Sequence, residues 1–251
     1  MRTLFVSGEV APFTHASELS RLARTLPEHL HETGDFETRI MMPRYGIVSE
    51  RRNRLHEVIR LSGAAIPIGD ETESLKVKVA SIPGIRLQVY FMDNNRYFKR
   101  KGIFSDKQDK LFPDNLERAL FFSRGVLETI RKLGWSPDVV HAFGWISGLT
   151  PLLLRTEYAS DPLFENVKIV YTPETVNFEA RFTAEQSAHL GLPEETVGRS
   201  PVEIGLHFTD AVIYPPSFSP VNGAPQFGEE AEDMRAKAVS VYEQVSNGVP
   251  A

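Results

Sequence analysis

The chain has 251 residues, enough for one large domain or two small ones. Its 41% hydrophobic and 24% charged content is ordinary soluble usage, which excludes a disordered chain, a collagen-like chain and a membrane bundle. Net charge is −5 (28 basic against 33 acidic residues) and cysteine is absent, which argues against general nucleic-acid or lipid binding and excludes disulfides, thiolate metal sites and a cysteine nucleophile.

Leu4-Phe5-Val6 reads as a buried parallel strand followed by a loop at Gly8. Leu19, Leu22, Leu26 and Leu30 recur at helical spacing, so residues 15–33 form a helix. Pro27 inside that run is expected to kink or split it, and Gly34 to stop it. Thr38 to Met42 is a second strand, which completes a right-handed βαβ unit. Residues 55–69 and 75–92 alternate apolar and polar, with turns at Gly69-Asp70 and Pro83-Gly84, and read as inserted hairpins. Leu87 to Phe91 returns to the sheet, and 115–132 is a helix closed by Gly134. A strand at 138–141, a helix at 146–159, a strand at 167–171 and a last strand at 211–213 follow.

Residues 214–228 hold four prolines and two glycines and read as a linker after a domain at 1–213. Met234, Ala238, Val241 and Val245 then give an amphipathic helix over 229–246, whose apolar stripe covers its own domain or another chain. The opening residues have too short an apolar run for a signal peptide, and no stretch reaches a membrane span; the expected location is cytoplasmic. Strands alternating with helices give an α/β fold: a Rossmann-like open, mostly parallel sheet with helices on both faces and an inserted hairpin region. Ligands of such sheets bind beyond the strand carboxyl ends, which points to 7–18, 43–47, 92–102, 141–149 and 171–183.

Six collinear stretches at or near those ends resemble the N-terminal domain of bacterial glycogen synthases and plant starch synthases. They are Glu9 to Phe13, Pro43 to Gly46, Val89 to Asn94, Glu117 to Arg124, Leu133 to His141 and Gly148 to Asp161. The resemblance runs from residue 1 to about 220 and implies half of a GT-B glycosyltransferase fold. In that family two Rossmann-like domains face a cleft, the first holding the glucan acceptor and the second most of the ADP-glucose. The chain ends just after the first domain should, so the donor-binding half is expected to be missing.

The site positions of three separate loops depart from the family pattern. The family's Lys-Thr-Gly-Gly-Leu is His15-Ala16-Ser17-Glu18-Leu19 here. The lysine and glycines of that loop suit a phosphate at a helix N-terminus, whereas Glu18 repels a pyrophosphate. Without the family, Ser17 or Thr14, and Glu18, are first-turn helix residues. The family's His-x-His-Asp-Trp-His-x-Gly-Leu is His141-Ala142-Phe143-Gly144-Trp145-Ile146-Ser147-Gly148-Leu149. His141 is then a ligand contact or a satisfied structural histidine. Thr-Ile-His-Asn-Leu has become Thr172-Pro173-Glu174-Thr175-Val176, where Glu174 is a base or an exposed loop carboxylate.

The candidate ligand positions are therefore His15, Ser17, Glu18, Tyr45, His141, Trp145 and Glu174, with no catalytic residue assigned. Tyr45, Trp135 and Trp145 stack on sugars or pack in the core. Lys99-Arg100-Lys101 beside Tyr97 and Phe98 is a basic-aromatic patch or a solvated loop. Neither a nucleophile elbow nor a P-loop is present, and no metal site or cofactor is expected. The resemblance implies a hexosyltransferase family, while the lost polar positions imply a chain inactive alone. The leading reading is a non-catalytic protein acting through association, as a homo-oligomer or with a protein partner. The alternatives are one half of a split ADP-glucose-dependent glucan transferase, or a glucan-binding module; nucleic acid and membrane are not expected partners.

Overall fold

The structure, a computed structural model, describes residues 1–219 and 223–248. In chain order it runs β1 (Arg2–Ser7), α1 (Glu18–Glu32), β2 (Glu37–Pro43), α2 (Glu50–Asn53), β3 (His56–Glu57), β4 (Ala64–Ile68), β5 (Glu71–Ser81) and β6 (Gln88–Asp93). Then come α3 (Asn95–Phe98), α4 (Asn115–Leu133), β7 (Val139–Phe143), α5 (Leu149–Arg155), β8 (Lys168–Thr172), α6 (Ala184–His189), α7 (Pro201–His207), β9 (Ala211–Val212) and α8 (Ala231–Ser246).

Among the described residues one nine-stranded sheet has the order β3-β5-β6-β2-β1-β7-β8-β9, with β4 paired on β5. From β6 to β9 all pairs are parallel, and β3, β4 and β5 add the antiparallel edge. The chain leaves β1 in one direction, through α1 to β2. It leaves β7 in the other, through α5 to β8. Because such crossovers are right-handed, α1 and α5 lie on opposite faces. Helix α4 crosses in the α5 direction and packs on α5, while α8 packs on α1. Both faces are covered, so β7 (VVHAF) is buried at every position.

Helix α1 begins with a capping box in which Ser17 and Ser20 each bond the other's backbone N–H. The split expected at Pro27 does not occur. Pro27 is buried with Leu26 and Leu30, and the apolar face holds the helix across the missing N–H. The helix expected at 146–159 is shorter: a 3-10 turn at Trp145–Ser147 leads into α5, which ends at Arg155. Within 214–228, of which 220–222 lie outside the described residues, the Tyr214 and Phe227 backbones are tied by Tyr214 N–H to Pro225 O and Phe227 N–H to Tyr214 O. Gln226 Nε2 donates to the carbonyls of Pro215, Pro216 and Phe218.

The apolar stripe of α8 (Met234, Ala238, Val241, Tyr242, Val245) is buried on its own domain. Its deepest tie is polar: Tyr242 Oη lies 2.7 Å from Nδ1 of His141, on β7. Replacing Tyr242 by Phe leaves that nitrogen unpaired in the core. The expected cost is about 1.5 kcal/mol, seen as a fall of roughly 4 °C in midpoint temperature; an unchanged midpoint refutes the tie.

Candidate functional site

The chain reverses direction across the sheet at β1, so the crevice falls beyond the carboxyl ends of β1 and β7. Three loops meet there. Glu9 lies two residues past β1, Gly144 and Trp145 directly follow β7, and Glu174 lies two residues past β8.

Glu9 is set by a local turn in which Ser7 Oγ donates to Glu9 O and accepts from Glu9 N–H. Its carboxylate, nearly buried, accepts from the Ser17 hydroxyl at 3.0 Å. Burial raises its pKa, opposed by the Ser17 hydrogen bond and the charge of His15. Ser17 Oγ also caps Ser20 N–H. The turn where the family pattern leads one to expect a phosphate cradle is thus occupied by a carboxylate and closed by a capping box.

Glu174 Oε2 accepts from Trp145 N–H at 2.9 Å. Burial pushes its pKa up to about 7; that backbone bond pulls it down and the Glu9 charge adds to the rise. Gly144 makes room for this carboxylate. A β-carbon on Gly144 would lie 2.6 Å from Glu174 Oε2 and 2.5 Å from Leu19 Cδ2. The Glu174 carboxylate therefore fills the space in which a side chain at 144 would begin. Ile146 presses on Gly8, whose β-carbon would lie 2.4 Å from it and 3.7 Å from Tyr45 Oη. That hydroxyl is buried and unpartnered, and the charges of Glu9 and Glu174 both act on it. No lysine or arginine among the described residues offsets either carboxylate.

The sequence candidates scatter around this centre. His15 is exposed on a groove shared with Lys101, Phe104 and Phe178. Ser17 belongs to the centre, as cap and donor to Glu9. Glu18 turns away: its carboxylate takes Ser217 N–H at 3.0 Å and the Ser217 hydroxyl, which clips α1 to the proline-rich stretch. Tyr45 is fully buried, edge-on to Phe98. His141 is also buried, its Nε2 2.8 Å from the Thr172 hydroxyl and its other nitrogen on Tyr242. Burial holds its pKa well below the usual range, so it is a neutral core histidine with both nitrogens used. Trp145 is buried beneath Phe104 and Phe178, with ring centroids at 5.5 and 5.4 Å.

The basic-aromatic patch does not form. Tyr97 and Phe98 are core residues, and Arg100 pairs with Asp114 through two hydrogen bonds at 2.5 and 2.6 Å. Trp135 donates to Glu37, and Arg39 stacks over its ring.

Sequence reasoning missed Glu9, Phe104, Phe178 and Arg118 as parts of this region. Arg118, wholly buried, donates to the carbonyls of Tyr97 and Ile103 and so fixes the loop that carries Phe104 onto Trp145. Chemically, the centre can hold or pass one proton near neutrality. It offers a diphosphate no lysine or arginine among the described residues. Among the described residues no three His, Asp or Glu side chains are placed to hold a metal ion, and no helix is long and apolar enough to cross a membrane.

Comparison with known proteins fits this architecture. Over 176 residues the chain is 47% identical to a protein named glycogen synthase from Chlorobium limicola, covering 70% of this chain and 36% of that one. It is 42% identical over 221 residues to glycogen synthase from Chlorobaculum parvum, covering 84% and 45%. The chain thus spans less than half the length of these relatives. The solved catalytic domain of starch synthase IV from Arabidopsis thaliana, bound to ADP and acarbose, matches with a TM-score of 0.70 at 18% identity, over 96% of this chain and 50% of that one. At that identity the likeness concerns the fold. The family model described as starch synthase catalytic domain matches residues 2–214, and the chain belongs to that family.

Proposed function

We propose that this glycogen-synthase-like domain performs no ADP-glucose transfer of its own and works in the cytoplasm through association with another protein surface. The observation that carries the reading is that no lysine or arginine among the described residues offsets Glu9 and Glu174 at the switch point, where a diphosphate needs positive charge. The sealing of Gly8 by Ile146 supports it. The surface beside the pair suits a protein: Val176, Phe178, Val202 and Phe218 line a shallow cavity of about 290 Å³ together with Glu174, Arg181 and Glu203.

The test is the full chain with ADP-glucose and maltooligosaccharide. The expected result is no glucosyl transfer and no amide shift over residues 8–21 at millimolar nucleotide sugar. Turnover, or ordered nucleotide sugar against that turn, overturns the reading. The association half expects a stoichiometric complex in light scattering that Phe178→Glu abolishes.

One observation favours the split-transferase reading instead. Glu174 puts a carboxylate where the family's aspartate at position 144 would begin, and its pKa of about 7 suits a general acid or base. Under that reading the chain plus a donor domain transfers glucose, and Glu174→Gln lowers kcat without raising KM. The glucan-binding alternative expects maltooligosaccharide shifts with no transfer.

A further inference from the structure

Arginines without a side-chain partner are concentrated between residues 51 and 86, Arg21 and Arg199 being the others among the described residues. Arg51, Arg52, Arg54, Arg60 and Arg86 form no ion pair and no side-chain hydrogen bond among the described residues. Arginines elsewhere are commonly tied to acids: Arg44 to Glu50, Arg100 to Asp114, Arg131 to Glu128 and Asp161. The free arginines are also gathered. Arg52, Arg54 and Arg86, from two separate segments, line one open cleft of about 750 Å³ with His56 at its side and Phe13 and Ile82 on its wall. No aspartate or glutamate lines it. The acid next along the chain, Glu57, sits on β3 opposite Lys78 of β5.

Such gathering runs against the balance of a chain with a net charge of −5. Like charges in a concave surface repel, and the fold gains nothing from holding them together unless something negative enters. Arg54 sharpens the point. Its backbone is left-handed, with φ 53° and ψ 40°, at the C-terminus of α2. Glycine or asparagine fills that conformation at lower cost. Backbone strain is spent here on a guanidinium with no protein partner.

We propose that this cleft binds a phosphoryl-bearing small molecule. The planar forks of Arg52, Arg54 and Arg86 clamp its phosphate oxygens, a geometry guanidinium suits better than ammonium. Pro83 and Ile85, the more exposed apolar residues of the lining, take the uncharged body, and the volume falls in the range of small-ligand pockets. The site sits at the antiparallel edge and shares no lining residue with Glu9, Gly144 or Glu174, so it stands whatever becomes of the switch-point reading.

Calorimetric titration of the full chain with inorganic pyrophosphate tests it. The expected result is saturable one-to-one binding, weakened about tenfold by Arg54→Gly and by Arg86→Gln, and unchanged by Arg235→Gln on α8. Arg54→Gly relieves the left-handed backbone, so its midpoint temperature is expected to hold or rise, which separates lost binding from lost folding. No saturation at millimolar pyrophosphate overturns the proposal. Binding by the two cleft variants as tight as by the native chain does so too, as does binding confined to a long polyanion such as RNA, or citrate bound as tightly as pyrophosphate.

Discussion

Gly144→Ala is expected to destabilise the domain by about 4 kcal/mol, from two sources of roughly equal size. The backbone at Gly144 has φ 75° and ψ −175°, a region that side chains other than hydrogen scarcely enter. A β-carbon would also stand 2.5 Å from Leu19 Cδ2 and 2.6 Å from Glu174 Oε2, and both neighbours are held. Leu19 is packed in α1, and the Glu174 carboxylate is bonded to Trp145 N–H. Repeating the substitution in a Glu174→Ala background removes one of the two collisions, so its cost is expected to fall by about 1 kcal/mol. Urea unfolding of the four proteins measures both numbers. A cost below about 1 kcal/mol for Gly144→Ala sinks the claim that glycine is demanded there. Strict additivity sinks the contact with Glu174. The expected coupling matters for the family comparison. Gly144 and Glu174 share one space, so the departures at these two loops are not two independent observations.

That correction marks what the sequence can and cannot disclose. Periodicity located the β4–β5 and β5–β6 hairpins and α4, which bury one face at a fixed interval, while β1, β2, β7 and β8 showed as short apolar runs because they are buried on both faces. Short α6 and α7 escaped it: six or seven residues are too few for a period to show. Pro27 misled because a rule about an isolated helix met a buried one, where Leu22, Leu26 and Leu30 decide. The loops were found by a topological rule, and Ser17, Trp145 and Glu174 do adjoin the crevice. What the chain order hides is contact between loops. Gly144 meets Glu174 because β7 and β8 run in parallel register with Phe143 opposite Thr172. Glu9 meets Ser17 because a loop closes on the cap of α1. His141 meets Tyr242 across 101 residues. Each of these needs the sheet order, which no local pattern contains.

Glu174→Gln is expected to be more stable than the native chain above pH 7 and equal to it near pH 4.5. The carboxyl's pKa is raised from 4.5 to about 7. Between those values the native state holds a proton that the unfolded state has released, so native stability falls as pH rises through the window. The full shift corresponds to about 3 kcal/mol, and about 2 kcal/mol after discounting for the partly exposed carboxylate. Glutamine keeps an oxygen for Trp145 N–H and loses the repulsion from Glu9. His141 acts with the opposite sign. Its pKa lies well below 6.5 in the fold, so below pH 6.5 the unfolded state binds the extra proton and stability rises with pH. In the native chain the two slopes oppose each other between pH 5 and 6.5, and stability there is expected to be nearly flat, with the raised Glu9 adding to the downward side. Removing Glu174 exposes the His141 slope, approaching 1.4 kcal/mol per pH unit. Urea unfolding from pH 4.5 to 8 reads both curves. Parallel curves across that span mean that Glu174 titrates as an ordinary surface carboxylate, and the acidic switch point loses its basis.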